Sequence, residues 1–468
     1  MERIKTDICV IGGGSGGLSV AAGAVQMGAK VVLIEGGKMG GDCLNYGCVP
    51  SKALIAAGKH AHAMTTGAPF GVTPVQPQVD YAAAKDHVRS VIAGIEPHDS
   101  VERFEELGVK VIQAYGAFIS RTEVQAGDVI VQARRFVLST GSSPFVPPIP
   151  GLDQVKYYTN EDIFELRDQP DHLIVIGGGP IGMELAQAHA RLGSKVTVLE
   201  GMTALGKDDP ELAAIALKKI RGEGVEIVEG AMASEISAEG GVTVKTKDGK
   251  SHTGSHLLMA VGRKANIDRL GLDKAGIDAD RAIKVDASMK TSNKKVYAIG
   301  DVAGSLQFTH MAGYHAGVVI RSALFGLPSK ASTRHIPWAT YTEPEIAQVG
   351  LTETEAREEF GDKLDVARFE FAENDRARAE LKTDGLVKVM VVKGRPVGAS
   401  IVGAQAGELI QVWALAIANK LKMGQVAAMV SPYPTLGEVN KRAAGAYFTP
   451  RLFESDMVKR VVRFVQRF

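Results

Sequence analysis

The sequence predicts an α/β chain built on two copies of one strand–turn–helix–strand unit and closed by a strand-rich α+β segment. Three observations predict this. The pattern Gly-x-Gly-x-x-Gly follows an apolar strand twice, at Gly12, Gly14 and Gly17 and again at Gly177, Gly179 and Gly182. In each copy a second apolar strand ends in a glutamate, Glu35 or Glu200, 23 residues after the first glycine, so the unit recurs at a fixed offset of 165 residues. From about residue 338 the pattern changes to alternating strands, such as 387–392, and an apolar helix over 408–421.

The glycine pattern alone is weak. Glycine makes up 53 of 468 residues, so about 0.7 chance matches to three fixed glycines are expected. The strands on either side give it force, at 8–11 and 31–34 and at 172–176 and 196–199. In such a unit the first glycine makes the tight turn, the second lets backbone approach a pyrophosphate, and the third lets helix pack on strand. The helix N-terminus stabilises phosphate charge, and the glutamate accepts hydrogen bonds from a ribose hydroxyl. Two Rossmann-like nucleotide units are therefore expected. Glu200 would repel a 2′-phosphate, and no arginine lies between Gly201 and Asp209, which favours NAD(H) over NADP(H). Pro180 falls where a first helical turn tolerates a missing N–H.

Size and charge narrow the classes. At 468 residues the chain exceeds one hydrophobic core, so several domains are expected. Lys and Arg number 54 against 53 Asp and Glu, a net charge of +1, which argues against a nucleic-acid partner. The first residues run straight into a strand with no signal-peptide pattern, and no apolar run reaches the ~18 residues that span a bilayer. Three cysteines in so long a chain fit a reducing compartment, so the cytoplasm is the expected location.

Cys43 and Cys48, spaced C-x4-C, stand just ahead of a helix-forming run at Ala53–Ala57. A helix N-terminus lowers a thiol pKa below its free value of about 8.5 and favours the reactive thiolate. The alternatives are half a zinc site or two unrelated buried thiols. Zinc needs further ligands, and the remaining cysteine, Cys9, sits inside a strand, so a redox pair is expected and no metal site.

With these residues in order, the chain resembles the flavoprotein disulfide reductases, a family that includes lipoamide dehydrogenase, glutathione reductase and mercuric reductase. The resemblance covers nearly the whole length. Ser139-Thr140-Gly141-Ser142-Ser143-Pro144 is similar to the family's second nucleotide-contact turn, and Val261-Gly262-Arg263-Lys264-Ala265-Asn266 to its later counterpart. Val296 to Asp301 resembles the strand whose aspartate binds the FAD ribityl chain. The resemblance implies FAD held by Gly12, Gly14, Gly17, Glu35, Gly36, Gly41, Thr140, Gly141, Gly300 and Asp301. It implies NAD(H) held by Gly177, Gly179, Gly182, Glu200 and Gly262. It also implies Cys48 as the flavin-proximal thiol, Cys43 as the exchange thiol, and a Lys52–Glu184 pair near the flavin. His310 opens a helix that the family places at the flavin, where it contacts the ring or a substrate or is a plain helix-start histidine.

The chain departs from the family at one catalytic position. Where lipoamide dehydrogenase and glutathione reductase have His-Pro-Thr-x-x-Glu, this sequence has Tyr433-Pro434-Thr435-Leu436-Gly437-Glu438. Unperturbed Tyr and His pKa values differ by about 3.5, so at pH 7 about one tyrosine in a thousand is ionised. Tyr433 is a poor general base, which argues against efficient dihydrolipoamide oxidation. Mercuric reductase carries tyrosine there, and residues 376–450 resemble it most, yet its paired C-terminal cysteines and amino-terminal metal-binding domain have no counterpart. That difference counts against mercury reduction, while the chain stays mercuric reductase-like and dihydrolipoamide dehydrogenase-like in its motifs.

The resemblance implies a FAD-binding domain at 1–150 and 266–337, an NAD-binding domain at 151–265 and a dimerisation domain at 338–450. Because Tyr433 and Glu438 lie in the last, a homodimer is expected. The tail 451–468 reads as a basic amphipathic helix, suited to packing on its own dimer or to docking on a membrane or partner. Three functions stay open: an NADH-dependent reductase or dithiol oxidase acting on a thiol or disulfide, a flavin NADH dehydrogenase or oxidase serving quinone, metal ion or oxygen, and a non-catalytic nucleotide-binding dimer.

Overall fold

A computed structural model describes residues 1–304 and 306–468. Contacts divide the chain into two compact units: Met1–Gly177 with Ala188–Thr197 and Met232–Ser332, and Gly178–Gln187 with Val198–Ala231 and Thr333–Phe468.

The first unit is organised by a seven-stranded sheet. Its order is Lys110–Gln113, Val31–Glu35, Glu2–Ile11, Val129–Leu138, Glu123–Ala126 and Gly116–Ser120, with Val296–Ala298 also paired to Val129–Leu138. The first four strands are parallel, and Ile8 sits opposite Val31. These strands read as near-continuous apolar runs because both faces are covered. Ile8, Val10, Val31 and Leu33 pack with Leu18 and Val20 of the helix Ser15–Gln26 and with Val318 and Val319 of the helix Thr309–Phe325. Cys9, Ile11, Val32 and Ile34 face the opposite core with Phe118 and Phe136. Cys9 is fully buried, and burial pushes its thiol pKa up. The two helices approach closely because a glycine faces the contact: a Cβ on Gly23 would stand 2.7 Å from Ile320 Cδ1.

The helix Tyr81–Ile95, capped by the Asp80 carboxylate accepting from Ala83 N at 2.9 Å, carries an unusual core residue. Lys85 is wholly buried. Its Nζ donates to Ile163 O at 3.0 Å and stands 5.0 Å from the Tyr81 ring centroid. Burial lowers its pKa to about 7, against the opposing pull of Glu165.

The second unit contains a five-stranded antiparallel sheet in the order Pro337–Thr340, Glu345–Gly350, Arg395–Gly403, Leu386–Val392 and Leu364–Glu370. Val387, Val389 and Val391 alternate onto its core around Trp413, whose Nε1 donates to Asn440 Oδ1 at 2.7 Å. Lys388, on the other face, is buried among Asp209, Glu211 and Glu353. The single apolar helix expected over 408–421 is two, Ala406–Leu409 and Gln411–Ala418. The second stops early because Asn419 caps it and Lys420 takes a left-handed φ of 55°. Among the described residues, no helix is long and apolar enough to cross a membrane.

Candidate redox and nucleotide-binding site

The two glycine turns have the same local construction. Glu35 accepts from Gly13 N and Gly37 N, both at 2.5 Å, and Glu200 accepts from Gly178 N at 2.6 Å and Met202 N at 2.8 Å. Donors and acceptors thus keep the 165-residue offset. Gly12 and Gly177 adopt φ of 110° and 111°, and a Cβ on either would fall 2.4 Å from a backbone oxygen, of Ser139 or Ala260. A Cβ on Gly17 would meet Gly12 O at 1.9 Å, so the helix Ser15–Gln26 starts hard against the turn. Gly14 caps that helix without a side chain, which leaves its N-terminal N–H groups to a ligand. Gly41, at φ 63°, closes the other side, where a Cβ would lie 2.8 Å from Gly14 Cα. Gly36 lies under Tyr115, whose ring leaves a Cβ only 2.5 Å. In the second copy Met183 N donates to Gly179 O at 2.9 Å as the helix Pro180–Arg191 begins at Pro180.

The two later turns interlock. Ser142–Pro144 and Arg263–Ala265 form a two-stranded antiparallel ribbon. Thr140 Oγ1 donates to Asn266 O at 2.8 Å, and Asn266 N donates to Gly141 O at 3.0 Å. Gly141 and Gly262 have positive φ of 66° and 131°. From this ribbon a polar chain runs to the cysteine loop. Ser142 Oγ donates to Asp301 Oδ2 at 2.6 Å, and Arg263 Nε donates to Ser142 Oγ at 2.8 Å. The Arg263 guanidinium reaches Asp42 Oδ1 at 3.0 Å, and Asn160 Nδ2 donates to that same oxygen at 3.2 Å. Burial raises the Asp301 pKa, with Ser142 and Arg263 opposing. Gly300, at φ 67°, donates its N–H to His315 Nδ1 at 3.2 Å, and burial lowers the His315 pKa to about 4.

Cys43 lies in the short helix Gly41–Asn45, and Cys48 is the first residue of the helix Cys48–Thr65. Both are free thiols, Cys43 half-buried and Cys48 exposed. They share a hydrogen bond that raises the Cys43 pKa and lowers that of Cys48 to about 6. Thr309 Oγ1 lies 3.3 Å from Cys48 Sγ and, with the charge of Lys52, favours the Cys48 thiolate. Lys52 stands in the same first helical turns, its Nζ donating to Ser51 Oγ at 3.4 Å. His310 follows Thr309 in the helix Thr309–Phe325 and stacks on Phe308 at 5.3 Å.

The remaining expected residues belong to the second unit. Glu184 is buried, and its Oε1 accepts from Tyr341 N at 2.8 Å. Tyr433 is exposed and its hydroxyl donates to Asp375 Oδ2 at 3.0 Å, which raises its pKa further. Glu438 opens the helix Glu438–Ala446.

The first unit fits a flavin dinucleotide: backbone meets backbone at Gly14 and Gly41, the helix end is uncapped, and the buried Asp301 carboxylate is positioned by Ser142. Residues 6–316 match the pyridine nucleotide-disulphide oxidoreductase family, and residues 336–444 match that family's dimerisation domain. The chain belongs to the pyridine nucleotide-disulphide oxidoreductases. Among its relatives, a mercuric reductase of Bacillus cereus is 33% identical over 93% of this chain and 70% of its own. A dihydrolipoyl dehydrogenase of Geobacillus stearothermophilus is 35% identical over 94% and 96%. The HOCl-induced flavoprotein disulfide reductase RclA of Escherichia coli, solved as a Cu(II) complex, superposes with a TM-score of 0.85 at 27% identity, covering 94% of this chain and 99% of its own. As a family member the chain is a FAD- and NAD(P)H-dependent disulfide oxidoreductase, and its dimerisation domain supports a homodimer.

Four polar residues at this oxidoreductase's site escaped the sequence reading as individuals: Thr309, Arg263, Asn160 and Asp42. Arg263 belongs to the stretch Val261–Asn266, Thr309 precedes His310 and Asp42 precedes Cys43, so their segments were visible though their contacts were not. Asn160 carried no signal.

Proposed function

We propose that this oxidoreductase takes electrons from NADH and passes them through Cys48 and Cys43 to a small-molecule or protein-bound disulfide, or runs the reverse on a dithiol. The observation that carries this reading is Cys48 at a helix N-terminus, with a sulfur hydrogen-bond partner, Thr309 and Lys52 lowering its pKa to about 6. Bound FAD supplies the two-electron relay between nicotinamide and sulfur. Glu35, Gly36, Gly41, Thr140, Gly141, Gly300 and Asp301 hold and orient it beside the first glycine turn. Gly177, Gly179, Gly182, Gly262 and Glu200 receive the nicotinamide nucleotide, and the Glu200 carboxylate disfavours a 2′-phosphate.

Within the dithiol the proton resides on Cys43, so Cys43 needs a base before it attacks a substrate disulfide. Its sulfur then bonds one substrate sulfur and releases the other as a thiol. Cys48 thiolate closes on Cys43 and expels the second substrate sulfur as a thiolate, which takes its proton from water. Tyr433, held by Asp375 with a raised pKa, serves poorly as that base. Cys48 thiolate, hydrogen-bonded to Cys43, can relay that proton to the departing substrate sulfur and is a thiolate again when it closes on Cys43. The weak base also favours a second reading, an NADH dehydrogenase whose acceptor (quinone, metal ion or oxygen) needs no proton removed by residue 433. We assign residues 1–150 and 266–337 to FAD, 151–265 to NAD(H) and 338–450 to the dimer.

Anaerobic titration of the holoenzyme with NADH is the test. Wild type should take up more than two electrons per flavin and develop long-wavelength thiolate–flavin absorption. Cys48→Ser should lose that band, and its persistence in this variant would falsify the assignment. Under the second reading, Cys43→Ser keeps most turnover with the physiological acceptor.

A further inference from the structure

The C-terminal tail is a helix whose apolar side is left largely uncovered by the described residues of its own chain. Ser455 caps the helix Asp456–Val465, its Oγ accepting from Val458 N at 3.4 Å. The segment before it is fastened to its own unit: Arg451 pairs with Asp365 Oδ2 at 2.7 Å and lies 3.8 Å from the Tyr447 ring centroid. Beyond that point no residue is buried. Met457, Val461, Val462, Phe464, Val465 and Phe468 are exposed by between 51% and 98%.

At 100° per residue the segregation is complete. The apolar side chains of 456–468 fall in one arc of roughly 160°, and Asp456, Lys459, Arg460, Arg463, Gln466 and Arg467 fill the opposite roughly 120°. Four cations stand there against one acid.

We propose that this helix lies on an anionic lipid surface, with its apolar arc among the acyl chains and its cationic side toward the headgroups. Charge decides between occupants. If two copies of the helix joined by their apolar faces, the flanks of both would be basic, with only Asp456 to offset them, and like charges along a helix seam oppose pairing. A bilayer bearing anionic headgroups meets the same flanks with opposite charge. The apolar arc is also wider than the two-position seam that a helix pair buries. The helix is too short and too charged to span, so it lies in the interface.

The experiment is co-sedimentation of the full-length holoenzyme with vesicles of phosphatidylcholine alone or mixed with phosphatidylglycerol. Partitioning is expected to be at least tenfold higher on the anionic vesicles and to fall in high salt, as screening requires. Phe464→Asp, and separately the double variant Arg460→Gln with Arg463→Gln, should each lower it at least tenfold while leaving turnover with NADH in solution unchanged. Equal binding to both vesicle types, or variants that bind like wild type, overturns the proposal. So does a change in oligomeric mass on Phe464→Asp without lipid, which would assign the face to a second copy.

Discussion

Thr309 and Lys52 act on one sulfur atom from two different helices. A hydroxyl donor and a nearby ammonium both favour a thiolate over a thiol, so each lowers the pH at which Cys48 ionises. Thr309→Val removes the donor and keeps the volume. The pH midpoint of the thiolate absorption should rise from about 6 by about one unit. An unchanged midpoint would show that the 3.3 Å contact has no energetic consequence. Lys85 offers a second residue-scale prediction, with the sign set by burial. Its folded pKa of about 7 lies below the unfolded lysine value, so between these pH values the unfolded state binds more protons. Stability from this group therefore rises with pH across that window, by up to about 1.4 kcal/mol per unit, and the penalty is fully present below pH 7. Measured against Lys85→Met in denaturant titrations from pH 7 to 10, wild type should gain relative stability. A flat difference would rule the shift out.

At the scale of elements, the duplicated turns were legible because their chemistry is written in backbone requirements. A positive φ and a close carbonyl demand glycine at Gly12 and Gly177, and each glutamate must reach two backbone N–H groups a fixed distance away. Such demands leave a spacing in the sequence. The polar chain through Asp42, Asn160, Arg263 and Asp301 leaves none, since its members are joined only by tertiary folding. The broken helix near Ile410 was illegible for another reason: an apolar run reads the same whether one helix or two bury it. Two glycine substitutions test the distinction between required and incidental glycines. Gly17→Ala forces a Cβ to within 1.9 Å of Gly12 O and should yield protein that folds poorly or loses flavin. Gly317→Ala, in the middle of the helix Thr309–Phe325 with open space around its Cβ, should raise stability by about 0.5–1 kcal/mol. Flavin content and melting temperature report both, and equal behaviour of the two variants would refute the argument.

On the scale of the whole molecule, the individual residues proposed to hold FAD, from Gly12 to Asp301, all lie in the first compact unit. Ligand binding stabilises only the state that binds it, by about 4 kcal/mol at a thousandfold excess over Kd. Removing flavin from the purified protein should lower the calorimetric transition of that unit, and added FAD should restore it. A thermogram indifferent to flavin would contradict the assignment. Glu35 and Glu200 carry one further consequence. On the proposed assignment the same cassette serves two clefts through separate carboxylates, so substitutions around residues 200–209 should retune coenzyme choice while the flavin grip stays untouched. A repeated unit with two separate anchors would let the grip on a permanent guest and on a transient one change independently.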